Sequence, residues 1–436
     1  MSTTNPTQLK ADYTQPRSLV DWAFHLLNSD VRAINSALIL LAMIVLNGAD
    51  FMGADPERLV INWQIYMRLA ICGIAGSYAI IYGGTALEQL YRFPGMLVLA
   101  FGVWSLICTP FAMDPRYSIA AVVSFFTAIV FVPVAIDQLG KHRFVVTVLI
   151  GICIYTAISW CLYLALPEIG TWREYISLED AVERMGGLGH PNTLGLFVSA
   201  GFVIALALWN DNRLRLFEVL VIAAIWVLTI AFCLSRTSFL VAFIAAGAVL
   251  YHRARTREGV ASISAVTLII GLIVLVLAFT GEIDDLWRRA ALAFSKSGDV
   301  SELTTATGRT EIWLYAIEQI EKRPLFGCGY GCARFAMVDH SFHSHNLVLN
   351  AGLMTGVVGM ALVLMMVGVI FARLFNPSDA YVRGIAVLFL VGGTVESLIF
   401  EPAPTLPTIL FLSLLFWPSE RKTASKTPTP QIEPQH

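Results

Sequence analysis

Three of the eight histidines, His340, His343 and His345, fall in the run Asp339–Asn346. An apolar stretch follows from Leu347. Titratable side chains at the mouth of a membrane span are costly to place there and need a reason. An imidazole, with an ordinary pKa near 6.5, can take a proton from a hydroxyl near neutral pH. Upstream lies Arg309. Ile312, Tyr315, Ala316 and Ile320 recur at helical spacing, with Thr307 as a possible cap and Pro324 as a stop. Arg309 then falls in the first helical turn, where a cation opposes the helix dipole. It suits an anion-binding site, since helix N-termini and arginine both bind phosphate. The alternative is a solvated arginine paired with Glu302 or Glu311. Arg236, in Ser235-Arg236-Thr237, sits between two apolar runs. It reads either as a snorkelling anchor or as a third member of the same site.

The glycines of Pro324-Leu325-Phe326-Gly327-Cys328-Gly329-Tyr330-Gly331 permit positive φ, as a ligand-facing nest or as a tight turn. His190, before Pro191, and Arg184 are candidates to line the cleft. Glu396 and Glu401 lie near the end of the penultimate apolar segment. Either acid could orient His345, pair with an arginine, or form a plain structural ion pair. A rival chemistry uses Cys328, Cys332, His343 and His345 as zinc ligands, although the spacing matches no standard finger. A Cys328–Cys332 disulfide is a further option. The other five cysteines lie in apolar runs and read as small hydrophobes.

The elements that must position these residues are membrane helices. The chain has 436 residues, 57% hydrophobic and 14% charged, with mean hydropathy +0.70. Soluble domains carry about 25% charge. Net charge −2, with no basic stripe, gives no footprint for nucleic acid. Apolar segments begin near Ala33, Trp63, Phe93, Tyr117, Phe144, Asn192, Leu216, Ser238, Ala261, Leu347, Val382 and Thr405. At roughly 20 residues per crossing these predict about twelve spans. The polar stretch 1–30 shows no cleavable signal pattern. Lys and Arg gather in loops on the side of the termini, which predicts cytoplasmic ends and an outward-facing loop at 282–345. The expected organisation is an N-terminal segment 1–30, helices over 31–281, the loop 282–345, helices over 346–418, and a polar tail 419–436 expected to be disordered. Within the loop a first helix is expected at 283–296. The span count also fits a secondary transporter, but repeat symmetry is missing, mid-membrane charges are few, and the large external loop holds most of the distinctive chemistry.

The motifs Gly308-Arg309-Thr310-Glu311-Ile312-Trp313, Pro324 through Gly331, His343-Ser344-His345-Asn346 and Gly352 through Gly359 occur in that order. With the Ser235-Arg236-Thr237 turn and Gly189-His190-Pro191-Asn192-Thr193-Leu194-Gly195, they resemble the O-antigen ligase and polymerase superfamily. Cys328 departs from a position often aromatic in that family. The resemblance implies an all-α polytopic glycosyltransferase of GT-C-like fold. It implies an inverting, metal-independent enzyme of the bacterial inner membrane with its active site on the periplasmic face and no cofactor. The donor would be a glycan on undecaprenyl pyrophosphate. The acceptor would be lipid A core for a ligase, or another lipid-linked repeat for a polymerase; ligase is the expected branch. By resemblance, Arg236 and Arg309 engage the pyrophosphate and His345 activates the acceptor. Arg184, His190, His343, Glu396 and Glu401 are expected around the substrates.

Overall fold

The computed structural model describes residues 18–49, 63–175, 181–253, 309–338, 340–375, 379–397, 399 and 401–418. The span expected from Ala261, the loop helix at 283–296, Glu302, Thr307 and the tail lie outside the described residues. What is described is almost wholly helical. The helices are α1 (Leu19–Leu27), α2 (Val31–Asn47), α3 (Trp63–Tyr82), α4 (Gly95–Cys108), α5 (Pro115–Ala165), α6 (Pro191–Asn210), α7 (Leu216–Cys233), α8 (Arg236–Arg253), α9 (Arg309–Lys322), α10 (Leu347–Arg373), α11 (Ala380–Gly392) and α12 (Leu406–Phe416). A small antiparallel hairpin, β1 (Thr171–Tyr175) and β2 (Ala181–Met185), pairs Thr171 with Met185 and Tyr175 with Ala181.

Among the described residues, five helices are long and apolar enough to cross a membrane: α3, α5, α6, α7 and α10. A bent pair, Gly84–Tyr91 with Gly95–Phe111, turned by 78°, passes the same test when taken together, as a broken span or a re-entrant loop. Helices α2, α8, α11 and α12 are shorter and apolar. Each expected segment start within the described residues therefore falls at or near a helix, but the number twelve is not reached among them by these criteria. α5 accounts for two expected segments. At 51 residues it would run ~76 Å if straight, more than twice the bilayer core. Gly140, at φ 70 and ψ 162, breaks it where the sequence turns polar.

The polar groups sort to two ends of the bundle. At one end, Trp417 donates to Asp379, Arg373 donates to the carbonyls of Trp417 and Leu415, and Lys141 lies over the Trp417 ring. α1 joins this end, where the Leu19 amide donates to Glu218. At the other end gather the hairpin, the α7–α8 turn, the start of α9 and the segment 324–346.

The glycine-rich run is a close-packed turn, not an open nest. Gly356 (φ 67, ψ −171) breaks α10 and leaves backbone groups without helical partners. The run 324–329 supplies them. Cys328 and Gly329 amides donate to the Leu353 and Met354 carbonyls at 2.9 Å each, and the Val357 amide donates to Pro324 at 2.8 Å. Trp104 donates to the Thr355 carbonyl. Gly327, Gly329 and Gly331 all hold positive φ to make this docking. An alanine at Gly356 would combine that φ with a clash against the Leu325 carbonyl. Gly356→Ala should cost about 1–3 kcal/mol. A thermal midpoint in detergent equal to that of the parent would contradict this account of the break.

Candidate active site

The histidine motif is held by its neighbours. Asn346 caps α10, its Oδ1 accepting from the Val348 and Leu349 amides at 3.0 Å. Its Nδ2 donates to the Thr394 carbonyl, and the Leu347 amide donates to the Gly393 carbonyl. Ser344 is buried and donates to the Asn346 carbonyl. These bonds stitch the motif to the turn that follows α11. Between Ser344 and Asn346, His345 takes a left-handed backbone, φ 49. A side chain there costs about 1–2 kcal/mol, offset by the surrounding bonds.

The His345 imidazole points at Glu396. His345 Nδ1 lies 3.0 Å from one carboxylate oxygen, and Arg309 donates to the other at 2.8 Å. The three side chains are 22%, 13% and 17% exposed for His345, Arg309 and Glu396, so all reach an accessible surface. Burial alone would raise the Glu396 pKa. The His345 hydrogen bond, the His345 charge and Arg309 outweigh it and hold the carboxyl at about 2. An ionised carboxylate only accepts, so the His345 Nδ1 facing it carries a proton; in the neutral form of the ring the lone pair is then on Nε2. Arg309 opens α9 and pairs with Glu396 rather than with Glu311 of its own first turn. Its guanidinium also lies 3.5 Å from the Thr237 hydroxyl. Thr237 follows Arg236 at the start of α8, so the Arg236 turn sits beside Arg309.

The remaining expected residues divide. The His343 ring meets the His345 ring edge-on at 4.2 Å. Burial, then the neighbouring His345 charge, push His343 down to about 3, so this imidazole stays neutral. His190 is an electrostatic neighbour of His343. It caps α6 through Nδ1 and packs edge-on against Trp172 at 4.7 Å. Arg184 is enclosed, 2% exposed. It donates to the Cys233 carbonyl and to Asn192, which bolts the hairpin to the α7–α8 turn. Glu401 has Tyr117 and Tyr330 as electrostatic neighbours. His340 stacks on Tyr315 at 3.9 Å. Cys328 and Cys332 are free thiols, so no disulfide joins them. Their sulfurs approach the Gly329 and Asp114 carbonyls, away from the histidines.

Residue types alone did not mark Thr237, Ser344 or Asn346 as parts of the site. The S/T and N identities beside a span start are cap signals, and that was the available clue.

Residues 219–364 match the family model described as O-Antigen ligase. The match contains Arg236, Arg309 and His345 and supports the resemblance read from the motifs. Arg184, His190, Glu396 and Glu401 lie outside it. No curated protein matches the chain.

Proposed function

We propose, on the premise of that family match, that this membrane protein is a glycosyltransferase of the ligase kind. It moves a glycan from undecaprenyl pyrophosphate to a hydroxyl of lipid A core, on the periplasmic side of a bacterial inner membrane. The observation that carries the reading is Glu396. It joins the proton acceptor His345 to the cation Arg309, next to the Arg236 turn.

The chemistry follows from these groups. The acceptor oxygen attacks the anomeric carbon while its proton passes to His345 Nε2. The bond from that carbon to the phosphate oxygen breaks, and the diphosphate leaves with the bonding pair. A single displacement inverts the carbon. The leaving group needs its charge neutralised more than it needs a proton. Arg309 and Arg236 supply fixed positive charge and forked donors. Glu396 keeps the His345 proton on Nδ1 and stabilises the imidazolium that forms. His343, held neutral, adds no positive charge beside it.

Arg309→Lys keeps the charge and loses the fork. Its transfer rate should fall roughly tenfold or more; a full rate would reduce Arg309 to a bystander. The branch is decided by the surface polysaccharide of a deletion strain. A ligase leaves lipid A core bare while lipid-linked polymer persists. Single repeat units on core would mean a polymerase, and unchanged polysaccharide would sink both.

A further inference from the structure

We propose that His343, His345 and Glu396 form a site for a divalent transition-metal ion of zinc's class, and that a metal held there switches the transferase off. The binding claim stands on the coordinates; the switching claim rests on the proposed transfer reaction. One donor atom from each of the three residues lies within 4.8 Å of the other two. Tetrahedral zinc, with bonds of about 2.0–2.2 Å, places its ligand atoms ~3.3 Å apart. His345 Nδ1 and Glu396 already stand at 3.0 Å. No pair of the three donor atoms has to close by more than ~1.5 Å to reach that spacing.

A second observation points to a ligand. His343 Nδ1 is enclosed and has no hydrogen-bond partner among the described residues. A buried polar atom left unpaired costs free energy that a bound metal would recover. Two imidazoles and a carboxylate make a set that zinc accepts with its fourth position open. This set differs from the cysteine–histidine one, because Cys328 and Cys332 point elsewhere.

Arg309 explains why the site is inhibitory rather than a resident cofactor site. It holds the other oxygen of Glu396, and a cation beside it competes for the same carboxylate. The consequence for His345 is specific. A metal on Nδ1 displaces the proton there, and the neutral ring then carries its proton on Nε2. Nε2 has lost the lone pair that would accept the acceptor's proton.

The test uses the full chain, purified in detergent and stripped with chelator, titrated with Co²⁺ and followed by visible absorption. One equivalent should produce the bands of a tetrahedral nitrogen–oxygen site, with no thiolate charge-transfer band. His343→Ala and His343→Gln, each checked for parent-like elution and helicity, should bind at least about tenfold more weakly. Absence of saturable binding, a thiolate band, or unchanged affinity in either folded variant overturns the site. Zn²⁺ should then inhibit glycan transfer by the parent protein, with activity restored by chelator. Binding without inhibition overturns the switch. Metal-free protein that transfers nothing would count against the transferase reading while leaving the binding result intact.

Discussion

His345→Gln should abolish glycan transfer, by about 10²–10⁴-fold if a background rate is measurable, while the protein stays folded and inserted. The size follows from the loss of the residue proposed to take the acceptor's proton. Glutamine can keep a polar group near Glu396 but has no basic nitrogen. The fold should tolerate it, because Ser344 and Asn346, not His345, make the bonds that start α10. The left-handed backbone at His345 is strained for glutamine and histidine alike. Transfer would be followed with lipid-linked glycan and core acceptor, and folding by elution and thermal midpoint. A folded variant with parent-like transfer would remove His345 from the chemistry.

Glu396→Gln should be almost as damaging, about 10²–10⁴-fold in rate, for a different reason. An amide can donate to His345 Nδ1 and so favour the tautomer with its proton on Nε2. It also withdraws the charge that holds Arg309. Glu396→Asp keeps the charge and should retain more activity than the amide. The ion group has a pH signature as well. The Glu396 pKa is depressed in the folded state, from 4.5 to about 2. Its contribution to stability is therefore complete above about 4.5 and is lost as pH falls toward about 2. Thermal midpoints of the parent and Glu396→Gln should differ at neutral pH and converge below pH 4.5. A gap that persists unchanged at pH 3 would contradict the assignment of the shift to Glu396.

Much of this arrangement was legible in the residues, and the limits have physical causes. Hydropathy located the helices because the bilayer forces a length on each apolar run. It divided α5 near Gly140, where the sequence turns polar, but could not place the break at Gly356, where one glycine with positive φ divides a continuous apolar run. The glycine-rich run left nest and turn both open, since what decides between them is the broken helix it docks on, far along the chain. Arg309 was a candidate from its conflict with the helix dipole, yet its partner was open among Glu302, Glu311 and the late acids. The pairing with Glu396 needed the turn after α11 to be stitched to the histidine motif through Asn346 and Thr394. Arg184 looked like a cleft residue by type; the hairpin, invisible to helical periodicity, encloses it. Glu401, only five positions from Glu396, is instead an electrostatic neighbour of Tyr117 and Tyr330.

The central claim is that Arg236, Arg309 and His345 share one site for a lipid diphosphate. The most direct measurement places a photo-crosslinking residue at Thr237 and asks whether polyprenyl diphosphate is captured there. The account predicts capture at Thr237 that is lost on Arg309→Ala and absent from a probe at Arg213, at the opposite end of the bundle. Equal labelling at both positions, or labelling at Thr237 indifferent to Arg309, would contradict it.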